Sequence, residues 1–283
     1  MRKEGYREST IQSTVQALRA VAKRANLLDP DSTKNYLASA QVSENRKSKL
    51  ADDLARFYHH MRIRFEKPRY RRIDKIPFIP SQQEVDQLTA GVGKKMSAFL
   101  RLLSETGMRP GEAWNLKWTD IDCERTVVNV TPEKGSNARQ LKISNQLIAM
   151  LNQLPHSWEF MFRNPSIDPL QSIKCHRKNF ENQRRDVADR LQNPRIRSIC
   201  FKTMRHWKAT TEYYKTRDIL HVMQLLGHKN IQNTLIYTHL VDFHSDDYVC
   251  KVAKTASDAT TLIEEGFDYV TDAEGLKLFR KRK

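Results

Sequence analysis

The chain is 283 residues long, 39% hydrophobic and 29% charged, with 9 Gly and 10 Pro, a length that fits two domains or one large one at about 150 residues per domain. That composition excludes disordered, collagen-like and low-complexity chains, and no run reaches the roughly 18 consecutive apolar residues of a membrane span. Lys plus Arg is 49 against 33 for Asp plus Glu, a net charge of +16, which favours a polyanionic partner, nucleic acid being the commonest. The opening residues MRKEGYREST carry charges with no apolar stretch behind them, unlike a secretory leader. Cys123, Cys175, Cys200 and Cys250 form no C-x-x-C and no zinc-type Cys/His spacing. The expectation is a reducing, cytoplasmic setting with structural thiols.

In chain order, Ile11, Val15, Leu18, Val21 and Ala22 recur at helical spacing. Asp29-Pro30-Asp31-Ser32 reads as a break, and Leu50, Leu54, Phe57, Tyr58 and Met61 mark a second amphipathic helix. Residues 62–80 contain Pro68, Pro77 and Pro80, which resist helix, and between Arg62 and Lys75 carry seven Lys/Arg against two acids. Residues 1–75 hold 18 basic and 9 acidic groups, against 31 and 24 in the remaining 208, so the N-terminal part is the more basic per residue. Ser81 with Glu84 forms a capping box that opens a helix, its apolar face continuing through Phe99, Leu100 and Leu103. RTVVNVTP and ARQLKIS, separated by the turn-prone EKGSN, read as a β-hairpin. From Leu147 the pattern is helical, apart from a strand-like RSICF at 197–201. Beyond about residue 250 a helix (VAKTASDATTLIEEG) is followed by a strand pair (FDYV and LKLF). The terminal RKRK is either a solvated tail or a phosphate contact. The expected fold class is α+β: mainly α with a small β-hairpin or sheet.

Three separated segments carry candidate chemistry. In ETGMRPGEAWNLKWTDID, residues 105–122, Gly107 permits a tight entry, Pro110 suits a first helical turn, and Arg109 ends the preceding loop. In KTMRHWKAT, 202–210, Lys202 and Arg205 are three apart, on one face of a helix. In LLGHKNIQNTLIYTHL, 225–240, Tyr237 follows His228 by nine residues. Each alone reads as surface or packing. Together they resemble the tyrosine recombinase (phage integrase) family, over about residues 80–245. Arg109 with Glu112 matches the family's TGxR-x-x-E segment, Lys134 its hairpin lysine, Arg205 the arginine of H-x-x-R, His228 its LGH histidine and Tyr237 its nucleophile. One position departs: the first residue of H-x-x-R is Lys202 here. That lysine and the basic C-terminal extension resemble integrases of archaeal viruses and plasmids.

The resemblance implies a helical DNA-clamp domain at 1–66, a basic linker at 67–80, a catalytic domain at 81–245 and an extension at 246–283 that either exchanges between protomers or folds alone. It implies double-stranded DNA as partner, four protomers on two duplexes, no cofactor and a covalent 3′-phosphotyrosine. The chemistry is coherent on its own terms. Arg109 and Arg205 supply permanently charged forks for the non-bridging oxygens of a pentavalent phosphate, and His228 and Lys202 add donors. Tyr237 needs these charges near it to attack, and Lys134 is the candidate acid for the leaving 5′ oxygen. No acidic cluster suits Mg²⁺, so the cleavage is expected to be metal-independent.

Around this set, Glu112 either orients Arg109 or is an ordinary surface acid. Arg139 touches phosphate or pairs with Glu133, phosphate being favoured. His206, Trp207, Tyr213 and Tyr214 read as packing residues, and His239 as a solvated or capping one. Arg62, Arg64, Lys67, Arg69, Arg71 and Arg72 are the expected phosphate contacts of the N-terminal half. The rival readings are a type IB topoisomerase-like nicking-closing enzyme and an inactive DNA-binding regulator.

Overall fold

A computed structural model of the chain describes residues 1–71, 75–133, 135–240, 248–273 and 276–282, without the side chains of His239, Tyr248, Ala273 and Arg282. In it the expected break at Asp29 is a helix start. The Asp29 carboxylate accepts from the Asp31 N–H at 3.0 Å and Pro30 takes the first position of α2 (Pro30–Ser39), between α1 (Glu8–Ala22) and α3 (Glu44–Met61). The buried face of α1 is Thr14, Ala17 and Val21, while Val15 faces solvent. Thr14 goes inward because its hydroxyl donates to buried Asp53 at 2.9 Å, an acid that Arg56 also pairs at 2.8 Å. Leu37, Leu50, Leu54 and Tyr58 complete this core, and Tyr58 shares a hydrogen bond of 2.9 Å with Thr33.

The stretch after α3 is extended, and its residues split by hydropathy. Ile63, Phe65 and Tyr70 pack on the helical core, Phe65 stacking on Tyr58 at 4.6 Å between ring centroids. Arg62, Arg64, Lys67, Arg69 and Arg71 stay exposed. Arg72 lies outside the described residues. The chain divides into two compact units, residues 1–77 with 163–179 and residues 78–162 with 180–283.

In the second unit the Ser81/Glu84 capping box opens α4 (Gln82–Gly91), and a separate α5 (Lys94–Thr106) follows. Phe99, Leu100, Leu102 and Leu103 of α5 are fully buried, each side chain contributing about 1.5–3 kcal/mol by leaving water. The Phe99 ring meets Trp114, Phe162 and Phe201 edge-on, with centroids 5.0–5.9 Å apart. A short α6 (Pro110–Trp114) leads to an antiparallel sheet of β1 (Ile121–Asp122), β2 (Val127–Val130) and β3 (Arg139–Lys142), with Val130 opposite Arg139. The expected hairpin is therefore present, with β1 added at its edge.

Helices α7 (Asn145–Asn152), α8 (Pro169–Arg190), α9 (Phe201–Thr216), α10 (Ile219–Leu226) and α11 (Gln232–Leu235) follow. The strand expected at 197–201 does not form. Asn193 caps a 3₁₀ turn, Pro194–Ser198, and Phe201 begins α9. The apolar residues there, Ile196, Ile199 and Phe201, are buried by helical packing rather than by alternation. The C-terminal residues form β4 (Tyr248–Ala253), α12 (Ala256–Glu264), β5 (Asp268–Ala273) and β6 (Leu276–Arg282), in sheet order β4-β6-β5 over a small core of Ala253, Ala259, Leu262, Phe267 and Phe279. The fold is mainly α with small antiparallel sheets. Among the described residues no helix is long and apolar enough to cross a membrane.

Candidate active site

Arg205 is buried, 6% exposed, and among the described residues it is held by carbonyls rather than by a carboxylate. Its Nη1 donates to the Gly107 carbonyl at 2.7 Å and its Nη2 to the Leu226 carbonyl at 2.8 Å. Both acceptors are at helix C-termini, where carbonyls lack intrahelical partners and the helix dipole is negative. Gly107 ends α5 at φ 63° and Gly227 ends α10 at φ 66°, the left-handed conformation that glycine adopts without penalty. At Gly227 space decides as well: a Cβ would lie 2.9 Å from Arg139 Nη1 and 3.0 Å from the Asn137 carbonyl. Burial, followed by Arg109 nearby, lowers the Arg205 pKa to about 10, which leaves the guanidinium charged at neutral pH.

Arg205 Nη2 also reaches His228 Nε2 at 2.9 Å, while His228 Nδ1 meets Thr234 Oγ1 at 2.9 Å. Because a guanidinium can only donate, Nε2 is the acceptor and Nδ1 carries the proton it gives to Thr234. Burial, then the charges of Arg205, Arg109 and Arg139, push the His228 pKa down to about 4. The ring is neutral.

Glu112 ties the other elements together. Arg109 is the N-cap of α6, and its backbone N–H donates to Glu112 Oε2 at 2.9 Å while its Nη1 reaches Oε1 at 3.1 Å. Arg139 Nη2 donates to Glu112 Oε2 at 2.7 Å and Ser136 Oγ to Oε1 at 3.0 Å. Burial alone pushes this carboxyl up, but Arg139 and the backbone N–H of Arg109 outweigh it and hold the pKa near 2. The hairpin loop is thus pinned beside α6, and Asn137 N–H bonds the Gly227 carbonyl at 3.1 Å.

Tyr237 stands between α11 and the 3₁₀ turn Thr238–Leu240, 2% exposed, packed with Ala209, Val222 and Leu226. It does not project from the helical face but is part of the core, with exposed Ile236 beside it. Its hydroxyl is 3.0 Å from His206 Nδ1. Burial raises the phenol pKa to about 12 although Arg205 and Arg109 act against it. His206 is pushed down to about 4 by burial, then by Lys202 and Arg205.

Residues 81–244, more than half of the chain, match the phage integrase family. The chain belongs to that family, the tyrosine recombinases. Among its relatives, a tyrosine recombinase of Thermosipho africanus is 28% identical over 200 residues, covering 69% of this chain and 68% of that one. A probable integrase/recombinase protein of the archaeon Methanocaldococcus jannaschii is 24% identical over 276 residues, covering 83% and 82%. Against the tyrosine recombinase XerC of Xanthomonas axonopodis pv. citri, 28% identical, the alignment spans 59% of this chain and 55% of the relative. The fold is shared with the Tn1549 transposon integrase in complex with transposon right-end DNA (TM-score 0.62, 15% identity, 92% and 95% of the two chains). It is shared also with a lambda integrase dimer bound to a core site (TM-score 0.59, 15% identity, 86% and 75%).

In this tyrosine recombinase the structure gathers Arg109, Glu112, Arg205, His228 and Tyr237 into one cluster. Lys202 is exposed at the start of α9 while Arg205 turns inward, so the two do not share a face fully. Lys134 lies outside the described residues, but its neighbours are placed: the Glu133 N–H points to Glu112 Oε1 at 3.4 Å and Ser136 bonds the same oxygen. Arg139 corrects the expectation of a phosphate contact. Its side chain is 6% exposed, its Nε donates to the Leu225 carbonyl at 2.9 Å, and its acid partner is Glu112 rather than Glu133. Tyr213 packs beside Tyr237, whereas Tyr214 is exposed with Arg217 over its ring at 4.9 Å. His206, read from sequence as packing, instead touches the phenol oxygen. Its only advance signal is its place one helical turn beyond Lys202.

Proposed function

We propose that this tyrosine recombinase cuts and rejoins double-stranded DNA at specific sites through Tyr237, without metal or ATP. The observation that carries the reading is the gathering of Arg109, Arg205, His228 and Tyr237, in which both arginines act electrostatically on the phenol oxygen. Two guanidiniums suit the two non-bridging oxygens of a phosphodiester and bind them more tightly as charge grows in the pentavalent state. Their geometry is prepaid, because helix ends and Glu112 hold them before DNA arrives. The Tyr237 Oη–P bond forms and the P–O5′ bond breaks, leaving a 3′-phosphotyrosine. Lys134, which lies in sequence between β2 and β3, protonates the departing 5′ oxygen. The covalent link retains the bond energy, so a 5′ hydroxyl from a second duplex reverses the step without ATP.

Arg62, Arg64, Lys67, Arg69 and Arg71 offer exposed cations for sequence-independent phosphate contacts. Four protomers on two duplexes complete a recombination reaction of this kind. The deciding experiment is a nicked suicide duplex carrying candidate attachment-site DNA, run on a denaturing gel, with the modified peptide mapped by mass spectrometry. The wild type forms an adduct on Tyr237 in excess EDTA. Tyr237→Phe forms none, yet binds DNA within a few-fold. An adduct on another tyrosine overturns the assignment, and a requirement for Mg²⁺ overturns the mechanism. Relaxation by a monomer without site preference indicates a nicking-closing enzyme, and absence of any adduct indicates a DNA-binding regulator.

A further inference from the structure

We infer that His206 is a catalytic residue of this site: its Nδ1 holds the Tyr237 hydroxyl and takes its proton as the oxygen attacks phosphorus. The inference rests on Tyr237 being the nucleophile proposed above.

The geometry comes first. His206 Nδ1 lies 3.0 Å from Tyr237 Oη, within the range of direct proton transfer, with the two rings tilted by 51°. The phenol is 2% exposed, so bulk water is a poor route for its proton. The phenol also stays protonated at neutral pH, since burial outweighs the arginines. It must therefore lose its proton during the attack, to an acceptor already beside it.

The other groups of the site have no free lone pair beside the phenol, and the Glu112 oxygens are taken by Arg109, Arg139 and Ser136. Arg109 and Arg205 are donors only. Both ring nitrogens of His228 are engaged, one by Arg205 and the other by Thr234. Lys202 is exposed at the start of α9, whereas the phenol is buried. His206 is neutral, held so by burial and by Lys202 and Arg205, and a neutral imidazole with its proton on Nε2 presents a bare Nδ1 to the phenol. An entering phosphodiester brings negative charge that opposes the effect of those two cations, so the imidazole becomes more basic when it is needed. The charged and titratable groups acting on His206 are Lys202 and Arg205 of its own helix and Tyr237 across from it. This chain has a lysine where the family pattern begins H-x-x-R, and the imidazole that meets the nucleophile stands one helical turn later.

The step balances. The Oη–P bond forms, the P–O5′ bond breaks, the phenol proton moves to His206 Nδ1, and the Lys134 ammonium gives a proton to the 5′ oxygen. On rejoining, the imidazolium returns its proton to the phenol oxygen and the Lys134 amine takes one from the attacking 5′ hydroxyl.

The test is single-turnover cleavage of the suicide duplex by His206→Asn and His206→Gln, whose amide oxygens accept a hydrogen bond but no proton. A second substrate carries sulfur at the bridging 5′ position, a leaving group that needs no acid. Both variants cleave about 100-fold more slowly than the wild type while still forming adduct on Tyr237. Sulfur restores Lys134→Ala and leaves His206→Asn slow. Cleavage by His206→Asn within a few-fold of wild type overturns the proposal, as does its rescue by sulfur, which places His206 on the leaving-group side. The wild type, ¹⁵N-labelled at histidine, gives a reading that does not depend on either variant folding. The imidazole perturbed by Tyr237→Phe must carry its proton on Nε2, and a proton on Nδ1 overturns the proposal. A wild type that forms no Tyr237 adduct fails at the earlier reading and removes the basis of this one.

Discussion

Arg64 and Arg205 carry the same guanidinium into opposite surroundings. The Arg64 side chain is 91% exposed and faces Glu66, itself 76% exposed, at 3.2 Å, a pair worth between zero and about 1 kcal/mol and weakened further by salt. Arg205 is buried and held by two helix ends and a neutral imidazole. The exposed cations of 62–71 are therefore replaceable one at a time and matter only to a partner. The buried ones act as a set, because Glu112 serves Arg109, Arg139 and the hairpin loop at once, and a group lost from such a network strands the rest.

Glu112→Gln tests that contrast hardest. It leaves Arg139 enclosed against a neutral amide, and breaking a buried pair from one side costs about 3–5 kcal/mol. Urea melts read this directly, and an unchanged midpoint means that the network is not a unit. Cleavage falls in parallel, since Arg109 and Ser136 lose their common anchor. The same acid predicts a pH dependence. Its pKa is depressed from 4.5 to about 2 in the folded state, so its stabilisation is fully present above about pH 4.5 and drains away as pH falls towards about 2. Glu84 and Glu212 shift in the same direction, which makes the informative quantity the wild type minus Glu112→Gln. That difference shrinks with acid. A difference that stays constant from about pH 5 to about pH 2 contradicts the depressed carboxyl.

Arg205→Lys comes next. An ammonium is a point charge and cannot reach the Gly107 and Leu226 carbonyls, His228 and a phosphate together. Cleavage drops by about 100-fold or more, in line with losing one preorganised donor, and the adduct assay checks it. Activity near wild type in the lysine variant means that the fork geometry is irrelevant.

What the sequence made legible was local or ordered. The Ser81/Glu84 box is a matter of three residues, and it forms as spelled. The hairpin follows from alternation on either side of EKGSN. Arg109, Arg205, His228 and Tyr237 stand out by order and spacing, and the fold brings them together. The rest depended on contacts between distant positions. Arg139 meets Glu112 across 27 residues and His206 meets Tyr237 across 31, and nothing in either local pattern announces the partner. Thr14 stands outside the apolar spacing of its helix, and only the distant Asp53 explains why it is buried. RSICF looks like a strand because Ile199 and Phe201 alternate, yet Asn193 caps a turn that cannot be seen in those five letters. The enclosure of Tyr237 comes from packing against α9 and α10, which the spacing from His228 does not reveal.

Two smaller effects sharpen the contrast. Thr234→Val removes the acceptor of His228 Nδ1. One buried hydrogen bond is worth about 1 kcal/mol, and the ring then keeps only one of its two anchors, so cleavage slows several-fold with DNA affinity unchanged. Slowing is the expected result, and an unaltered rate means that Arg205 alone fixes the ring.

The smallest effect on stability belongs to Arg64 and Arg69. Neither is buried, so replacing both with Gln changes unfolding free energy by no more than about 0.5 kcal/mol. Their effect is on DNA instead. Each cation that neutralises a phosphate releases a counterion, so each loss makes the slope of log K against log salt about 0.9 less steep. The double variant therefore binds more weakly at low salt and converges on the wild type as salt rises, while a Tyr237 adduct, once DNA is saturating, forms at the wild-type rate. An unchanged slope removes these two arginines from the DNA contact, and a slower saturated rate means that the exposed and buried cations are not separable in the way their surroundings imply.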